Sequence, residues 1–160
     1  MIRSVLILDL DGVLITNSLW QPDEIDSDGY SKFDENCVTN LNLLLNEYNF
    51  EIWLSSARRT AKTLEEFNLI FKARNILEPI RGFLPVYPEC STRKDEIETF
   101  IKESHTSNFL IIDDDKSLHK IDLKYKNNLV LTELYKGFDK ECLRLAIEKT
   151  RLLSPLDRIY

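Results

Sequence analysis

Short, largely apolar runs alternate along this chain with longer segments whose apolar residues have helical spacing. Four of the runs, at residues 4–8, 50–54, 109–112 and 129–131, predict buried strands. Strands that are apolar on both sides have to be covered on both faces, and this is typical of parallel sheets. The pattern therefore predicts a sheet that lies between two layers of helices.

The segments between the runs predict those helices. One apolar stripe extends from Val38 to Tyr48 with the spacing of an amphipathic helix. Further helices are predicted at residues 60–76, after Thr92 and at residues 139–153, and a short apolar piece lies at 82–87. Strands that alternate with helices predict an α/β fold, a three-layer Rossmann-like parallel sheet with helices on both faces.

Polar residues follow three of the predicted strands at the point where each strand ends. They are Asp9 with Asp11, Ser55 with Ser56, and Asp113 with Asp114 and Asp115. In a parallel sheet the ligand lies beyond the carboxyl ends of the strands, where residues from different strands meet. The sequence therefore predicts one acidic crevice built from distant parts of the chain.

The first of these strand ends has the spacing of a paired-carboxylate site. Asp9 and Asp11 are separated by one residue, so both carboxylates lie on the same side of the chain. Gly12 permits a backbone conformation that other residues resist. Neighbouring carboxylates repel unless one is protonated or a cation lies between them. With Asp113 and Asp114 added, the all-oxygen ligand set predicts a Mg²⁺ site rather than a zinc site.

Length and charge limit the other possibilities. The chain has 160 residues and a net charge of −6. We expect one domain over residues 1–160, in which residues 15–36 form a short acidic insertion that we call the flap. The negative charge argues against nonspecific duplex binding. The first apolar run is too short for a signal peptide or a membrane span, so we expect a cytoplasmic protein without membrane partners.

These motifs resemble those of the haloacid dehalogenase-like (HAD) phosphohydrolase superfamily. Its pattern is DxDG after the first strand, a hydroxyl residue ending the second, a basic residue before a later helix, and an acidic pair ending the fourth strand. The matching positions are residues 9–13, Ser55, Arg93 or Lys94, and Asp113 with Asp114. The SSxR sequence at residues 55–58 and the late Gly137-Phe138 turn resemble more narrowly the small phosphatase domain of composite RNA repair proteins.

The resemblance implies a Mg²⁺-dependent phosphomonoester hydrolase that acts through an aspartyl-phosphate intermediate. Asp9 is implied as the nucleophile and Asp11 as the general acid and base. The implied phosphate-binding residues are Ser55, Ser56, and Arg93 or Lys94. The implied metal ligands are Asp9, Asp11 through its carbonyl, Asp113 and Asp114. No segment is long enough to form a cap domain, so we expect an open site.

Two choices stay open at this stage. Counting back from Ile97 favours Arg93 as the basic residue of the third motif, whereas residue type favours Lys94. Ser55 is favoured over Ser56 as the hydroxyl of the second motif because it is the first polar residue after the apolar run. A step of one residue near the start of a helix turns a side chain by about 100°, so the two alternatives place different atoms in the site.

An open site suits a phosphorylated small molecule or a nucleic-acid end. Further phosphate contacts could come from Arg58, Arg59 and Lys62, and stacking surfaces for a base from Trp20, Tyr30 and Phe33. The ordinary alternatives are a solvated helix start and packing of the flap on the core. Acids in the flap also copy the spacing of a calcium loop, from Glu24 to Glu35.

Two other function classes remain as alternatives, a receiver-like phospho-accepting signalling module and a non-catalytic phosphate-binding protein. Receivers also gather acids, a hydroxyl and a lysine around Mg²⁺. In this chain a second acid, Asp11, lies two residues after Asp9. A general acid is expected at that position, so the sequence favours a hydrolase over a receiver-like module. No obligate protein partner is evident from the sequence.

Overall fold

The computed structural model of the chain describes residues 3–17 and 20–153. Five strands form one sheet in the order β3-β2-β1-β4-β5. Their bounds are β1 (Ser4–Leu8), β2 (Phe50–Leu54), β3 (Ile80–Phe83), β4 (Phe109–Asp113) and β5 (Leu129–Leu131). Each neighbouring pair is parallel, which confirms the predicted α/β class.

Within these described residues, four α-helices connect or follow the strands. They are α1 (Glu35–Glu47), α2 (Leu64–Ala73), α3 (Arg93–Ser104) and α4 (Lys140–Arg151). The connection from β4 to β5 contains no α-helix but two 3₁₀ helices, Lys116–Lys120 and Leu123–Asn128, which the sequence pattern did not predict. Leu118 and Ile121 of this connection are buried and cover the sheet as an α-helix would.

Helices cover both faces of the sheet, as predicted. Alternate side chains of a strand point to opposite faces, and the apolar core is accordingly divided into two clusters. Leu6 and Leu8 of β1 belong to the cluster that contains residues of α1, α2 and α4. Ile7, between them, belongs to the cluster that contains residues of α3. The three-layer Rossmann-like architecture is therefore confirmed.

The bounds of the second helix were predicted wrongly, and β3 was not predicted as a strand. The second helix was expected from residue 60, but α2 begins at Leu64 because Thr63 caps it. The Thr63 Oγ1 accepts from the Glu66 backbone N–H at 3.1 Å and the Glu66 carboxylate accepts from the Thr63 N–H at 3.1 Å, a capping box that fixes the start. β3 begins at Ile80, before the apolar piece at residues 82–87, and buried Ile80 pairs with Ile52 of β2.

The described part of the chain contains no cap domain. Between β1 and α1 lies the flap, in which an antiparallel bridge joins Ile25 to Ser31. Within residues 3–17 and 20–153, no helix has the length and apolar character needed to cross a membrane.

The sheet order brings the polar strand ends together. β1 lies at the centre, with β2 and β4 as its direct neighbours. Leu8 is in register with Leu54 on one side and with Ile112 on the other. The residues that follow these three positions are Asp9, Ser55 and Asp113, so their side chains emerge at one edge of the sheet.

Candidate functional site

Three carboxylates from β1 and β4 form an acidic cluster. Oxygen atoms of Asp9, Asp113 and Asp114 all lie within 4.8 Å of one another. The backbone N–H of Asp9 donates to the carbonyl of Ile112 at 3.0 Å and so extends the strand pairing up to the cluster. Asp9 and Asp113 are buried, at 3% and 0% exposed. Parallel pairing of two adjacent strands therefore forces these acids into one small volume.

Asp113 is the best-fixed of the three acids. Its Oδ1 accepts from the Asp115 N–H at 3.0 Å. Its Oδ2 accepts from the Ser55 Oγ at 3.2 Å and from Arg93 Nη1 at 2.8 Å. Residues from β2, β4 and the start of α3 thus meet at one carboxylate.

The three carboxylates of the cluster carry more negative charge than the one guanidinium beside them, that of Arg93, compensates. Arg93 Nη1 lies 2.8 Å from Asp113 and 3.5 Å from Asp9. Burial, and then the charge of Asp113, raise the pKa of Asp9 well above its ordinary value, against the opposing effect of Arg93. Burial, and then Asp113, raise the pKa of Asp114 to about 6. One guanidinium is insufficient for three neighbouring carboxylates.

These properties fit a divalent cation. The ligand atoms are all oxygens, they lie close together, and the charge they leave uncompensated is negative. A hard cation such as Mg²⁺ prefers such a donor set. Asp11 was also among the predicted ligands, through its carbonyl; its carboxylate lies outside the cluster and contacts Arg58. A role of the Asp11 carbonyl as a ligand stays a prediction.

The turn after Asp9 depends on Gly12. Its φ of 75° is in the left-handed region, and a Cβ atom at this position would lie 2.1 Å from the Asp114 Oδ2. Thr132, which directly follows β5, donates from its Oγ1 to the Gly12 carbonyl at 2.5 Å. Thr132 was not among the predicted site residues, although its place directly after the last apolar run was an available signal. The glycine thus lets the turn after β1 approach Asp114.

Of the two candidate basic residues, the structure brings Arg93 and not Lys94 to the acids. Arg93 is the first residue of α3, and its side chain is largely buried against Asp113. The Lys94 Nζ instead lies 3.1 Å from Glu98, one turn along the same helix, and 3.6 Å from Asp95. The backbone N–H of Lys94 donates to the Ser117 Oγ at 3.0 Å. Lys94 therefore contributes structure at the edge of the site.

Ser55 and Ser56 are both buried, but their hydroxyls have different partners. The Ser55 Oγ donates to Asp113 within the acidic cluster. The Ser56 Oγ accepts from the Arg58 backbone N–H at 3.2 Å and caps the 3₁₀ helix Ala57–Thr60. The hydroxyl that faces the carboxylates is thus that of Ser55.

Asp11 has a different environment from Asp9. Its side chain is 46% exposed, and Arg58 holds both of its oxygens. Arg58 Nε donates to Oδ2 and Nη2 donates to Oδ1, each at 2.8 Å. The two acids of the first motif are therefore separated in environment: Asp9 faces the cluster, and Asp11 faces a guanidinium at the rim.

Most of the other residues proposed for substrate contacts have structural partners. Arg59 is buried and donates to the Leu84 carbonyl at 2.7 Å. Tyr30 and Phe33 pack edge to face on Phe67 and Phe71, with centroid distances of 6.0 and 5.6 Å. They belong to the core and are not free to stack on a base.

Trp20 is the exception among the aromatic residues of the flap. It is 78% exposed, and its ring centroid lies 6.3 Å from that of Tyr135, which is 56% exposed. Tyr135 lies in the loop after β5, the loop that begins with Thr132. The two rings are thus placed at the same edge of the sheet as the acidic cluster.

The calcium-like spacing in the flap has a different explanation. Arg74, at the C-terminal end of α2, donates to both oxygens of Asp28 at 2.6 and 2.9 Å. It also lies 3.1 Å from Asp26. The hydrogen bonds from Arg74 lower the pKa of Asp28 to about 2. The buried guanidinium of Arg74 therefore lies among these acids where the calcium-like spacing would place a metal ion.

Most of the chain matches the model of a known protein family. The model of a family described as "HAD domain in Swiss Army Knife RNA repair proteins" matches residues 5–143. A search of curated proteins finds no match to the chain. The matched range includes the acidic cluster, Ser55, Arg93 and Thr132, and ends within α4.

Proposed function

We propose that this chain, which belongs to the family of HAD domains in Swiss Army Knife RNA repair proteins, is a Mg²⁺-dependent phosphomonoesterase. The observation that carries the proposal is the meeting of Asp9, Asp113 and Asp114 with Arg93 and Ser55 at one edge of the sheet. This arrangement offers a nucleophile, a cation site and donors for phosphoryl oxygens within one small volume.

In the proposed reaction an Asp9 oxygen attacks phosphorus while the bond from phosphorus to the ester oxygen breaks. Asp11 gives a proton to the departing oxygen, which leaves as an alcohol. Asp11 then removes a proton from a water molecule, and the water oxygen attacks the aspartyl-phosphate. The aspartyl oxygen–phosphorus bond breaks, which releases inorganic phosphate and restores the Asp9 carboxylate.

Charge is the main obstacle to the first step, because an anionic nucleophile has to approach an anionic phosphate. Arg93 lies beside Asp9 and Asp113 and lowers this repulsion, and Ser55 and the Ser56 backbone amide are suited to hold phosphoryl oxygens. Asp9, Asp113 and Asp114 would hold a Mg²⁺, and this ion would supply further electrostatic stabilisation.

The proposal is tested with purified protein against a panel of phosphate monoesters, with Mg²⁺ and after chelation. We expect turnover with Mg²⁺ and a loss of about 100-fold or more without it, since a cation at such a site is worth several kcal/mol. Restoring Mg²⁺ should restore the rate. Accumulation of phospho-Asp9 from acetyl phosphate without release of phosphate would instead identify a receiver-like module. Phosphate binding without any turnover would identify a non-catalytic binding protein.

For the substrate we propose a phosphorylated nucleic-acid end. The family is described by its occurrence in RNA repair proteins, and the described residues contain no cap that would enclose a small molecule. Trp20 and Tyr135 offer exposed ring surface at the edge of the sheet where the acids lie. Stacking of a base on an aromatic side chain tolerates any sequence and suits an end-processing activity.

Replacing Trp20 with Ala should weaken the use of phosphorylated oligonucleotides. We expect KM for a 3′- or 5′-phosphorylated oligonucleotide to rise about fivefold or more, because a stacked base is worth ~1 kcal/mol or more. Turnover of an aryl phosphate should not change. Leu77→Ala is the matched control, because Leu77 is an apolar residue of similar exposure, 76%. It lies between α2 and β3, at the opposite edge of the sheet from the acids. Equal kinetics for Trp20→Ala and Leu77→Ala on oligonucleotides would favour a small-molecule substrate.

A further inference from the structure

We propose that exposed lysines along the connection from β4 to β5 bind the body of a nucleic-acid strand whose phosphorylated end lies at the acidic cluster. We call these residues the lysine track; they are Lys116, Lys120, Lys124 and Lys126. This inference rests on the proposed function, in which a nucleic-acid end is the substrate. It adds a surface for the nucleotides that lie away from the reacting phosphate.

The connection from β4 to β5 has the opposite charge balance to the chain as a whole. The chain has 27 acidic and 21 basic residues, whereas residues 116–128 contain four lysines and one acid, Asp122. The flap contains six acids and one lysine. Affinity for a phosphate backbone comes from basic groups. A strand that leaves the site is therefore attracted to this connection and repelled by the flap.

The 3₁₀ geometry of the connection turns its lysines towards solvent. Side chains three residues apart lie on one line of a 3₁₀ helix. Leu118 and Ile121 have this spacing and are buried against the sheet. Lys116 and Lys120 lie on the other lines of the same helix and are exposed. The two lysines of the second 3₁₀ helix are exposed as well, so all four ammonium groups are accessible to a ligand.

Most of these ammonium groups have no carboxylate beside them. Among the described residues, three of the four have no carboxylate oxygen within 4.0 Å, those of Lys116, Lys120 and Lys126. The fourth, of Lys124, lies 4.0 Å from Asp122. Lys62 and Lys136, by contrast, each have a glutamate oxygen within 3.8 Å. The positive charge of the lysine track is thus left for a ligand that carries negative charge.

The lysine track begins at the acidic cluster. Asp115, which precedes Lys116, donates from its backbone N–H to the Asp113 Oδ1 at 3.0 Å. Ser117, which follows Lys116, accepts at its Oγ from the Lys94 N–H in the first turn of α3, at 3.0 Å. Both neighbours of Lys116 therefore contact residues at the edge of the site.

The lysine track ends at the opposite edge of the sheet. Asn128 donates from its Nδ2 to the carbonyl of Phe109, the first residue of β4, at 2.8 Å. The Lys149 Nζ of α4 donates to the Lys126 carbonyl at 3.2 Å and adds positive charge there. Since β4 has five residues, the two edges are about 16 Å apart at ~3.3 Å per residue. That distance corresponds to about five stacked nucleotides.

A lysine-rich surface that only keeps the protein in solution makes a different prediction. Exposed cations would then contribute equally to the binding of a polyanion, wherever they lie. Lys72 in α2 and Arg81 in β3 provide the matched control. Both are exposed, and among the described residues neither has a carboxylate oxygen within 4.0 Å. They lie on the β3 side of the sheet, away from β4 and β5.

The deciding experiment measures the binding of an unphosphorylated RNA decanucleotide by fluorescence anisotropy. For the double variant Lys120→Ala with Lys126→Ala we expect Kd to rise about 10-fold or more at ~0.1 M salt. The slope of log Kd against log salt should fall by about 1.4, since each phosphate contact of a single strand contributes ~0.7. Lys72→Ala with Arg81→Ala should leave both quantities nearly unchanged. Neither pair should lower Tm, because all four side chains are exposed.

Turnover gives a second measurement, because a long substrate reaches the lysine track and a nucleoside monophosphate does not. In Lys120→Ala with Lys126→Ala, KM for a phosphorylated decanucleotide should rise and KM for a nucleoside monophosphate should stay the same. Equal Kd changes in the two double variants, or no binding by the wild-type protein, would overturn the inference. So would weaker binding with an unchanged KM for the decanucleotide, which indicates a surface for polyanions in general. Absence of turnover in the wild-type protein would refute the proposed function, and the anisotropy experiment would still decide on the lysine track.

Discussion

Asp9→Asn should reduce turnover at least about 10⁴-fold, as expected when the nucleophile of a covalent mechanism is removed. Asparagine has nearly the same shape and keeps an acceptor for the Leu10 N–H, which donates to the Asp9 Oδ1 at 2.8 Å. It does not have the charge that attacks phosphorus. The measurement is kcat for an aryl phosphate at saturating Mg²⁺.

The same variant should be at least as stable as the wild-type protein without metal. Burial and Asp113 raise the pKa of Asp9 above its ordinary value. At a pH between the ordinary pKa of an aspartate and the raised pKa of Asp9, the folded protein retains a proton that the unfolded chain has lost. Ionisation of Asp9 therefore destabilises the fold as pH rises through this range. The asparagine side chain carries no charge and avoids this cost at neutral pH. We therefore expect an equal or higher Tm for the metal-free variant.

Adding Mg²⁺ should reverse the order of stability, because a ligand stabilises the state that binds it and the wild-type protein binds it better. Loss of activity with a lower metal-free Tm would show that Asp9 is needed for the fold. Retained activity would show that another residue is the nucleophile.

Arg93→Ala and Lys94→Ala should differ sharply, although the residues are adjacent. Removing Arg93 leaves Asp9 and Asp113 buried without their cation, and breaking such a buried pair costs about 3–5 kcal/mol. Lys94 contacts Glu98 on a partly exposed helix face, away from the buried acids, so its loss should cost less. Denaturant unfolding of metal-free protein at neutral pH measures the difference.

Arg93→Ala should also lose more activity than Lys94→Ala. Arg93→Ala should lower kcat/KM about 10²-fold or more, as is typical when a donor to developing negative charge is removed. Lys94→Ala should retain most of the activity, since its Nζ does not face the acids. A larger loss in Lys94→Ala than in Arg93→Ala would return the role to Lys94, the choice that residue type favoured.

The sequence predicted the features that depend on local pattern. The apolar runs were strands, and the acids and hydroxyls that follow them meet because the ends of adjacent parallel strands lie at one edge. The choice between Arg93 and Lys94 was not decidable in this way. It depends on the direction in which a helix presents its first side chain, and hence on the residue at which α3 begins.

Contacts between distant side chains were the other limit. Arg58 was singled out as basic, but its pairing with Asp11 and Asp23 depends on how the flap folds back over the sheet. Thr132 has an ordinary strand-end sequence, and only the neighbouring position of its loop reveals its bond to Gly12. The start of α2 was missed because residues 60–63 contain no Gly or Pro that would mark a helix end, and the capping role of Thr63 decides the boundary.

Arg74 has a consequence for any experiment with chelators. Among the flap acids its guanidinium takes the place of an exchangeable ion, with hydrogen bonds to Asp28 and to the carbonyls of Tyr30 and Ser31. A covalently attached cation is not extracted by EDTA and does not vary with the calcium concentration of its surroundings. The flap should thus keep its shape in metal-free buffer, and among the described residues the three carboxylates at the sheet edge are the group that we expect to respond to a chelator.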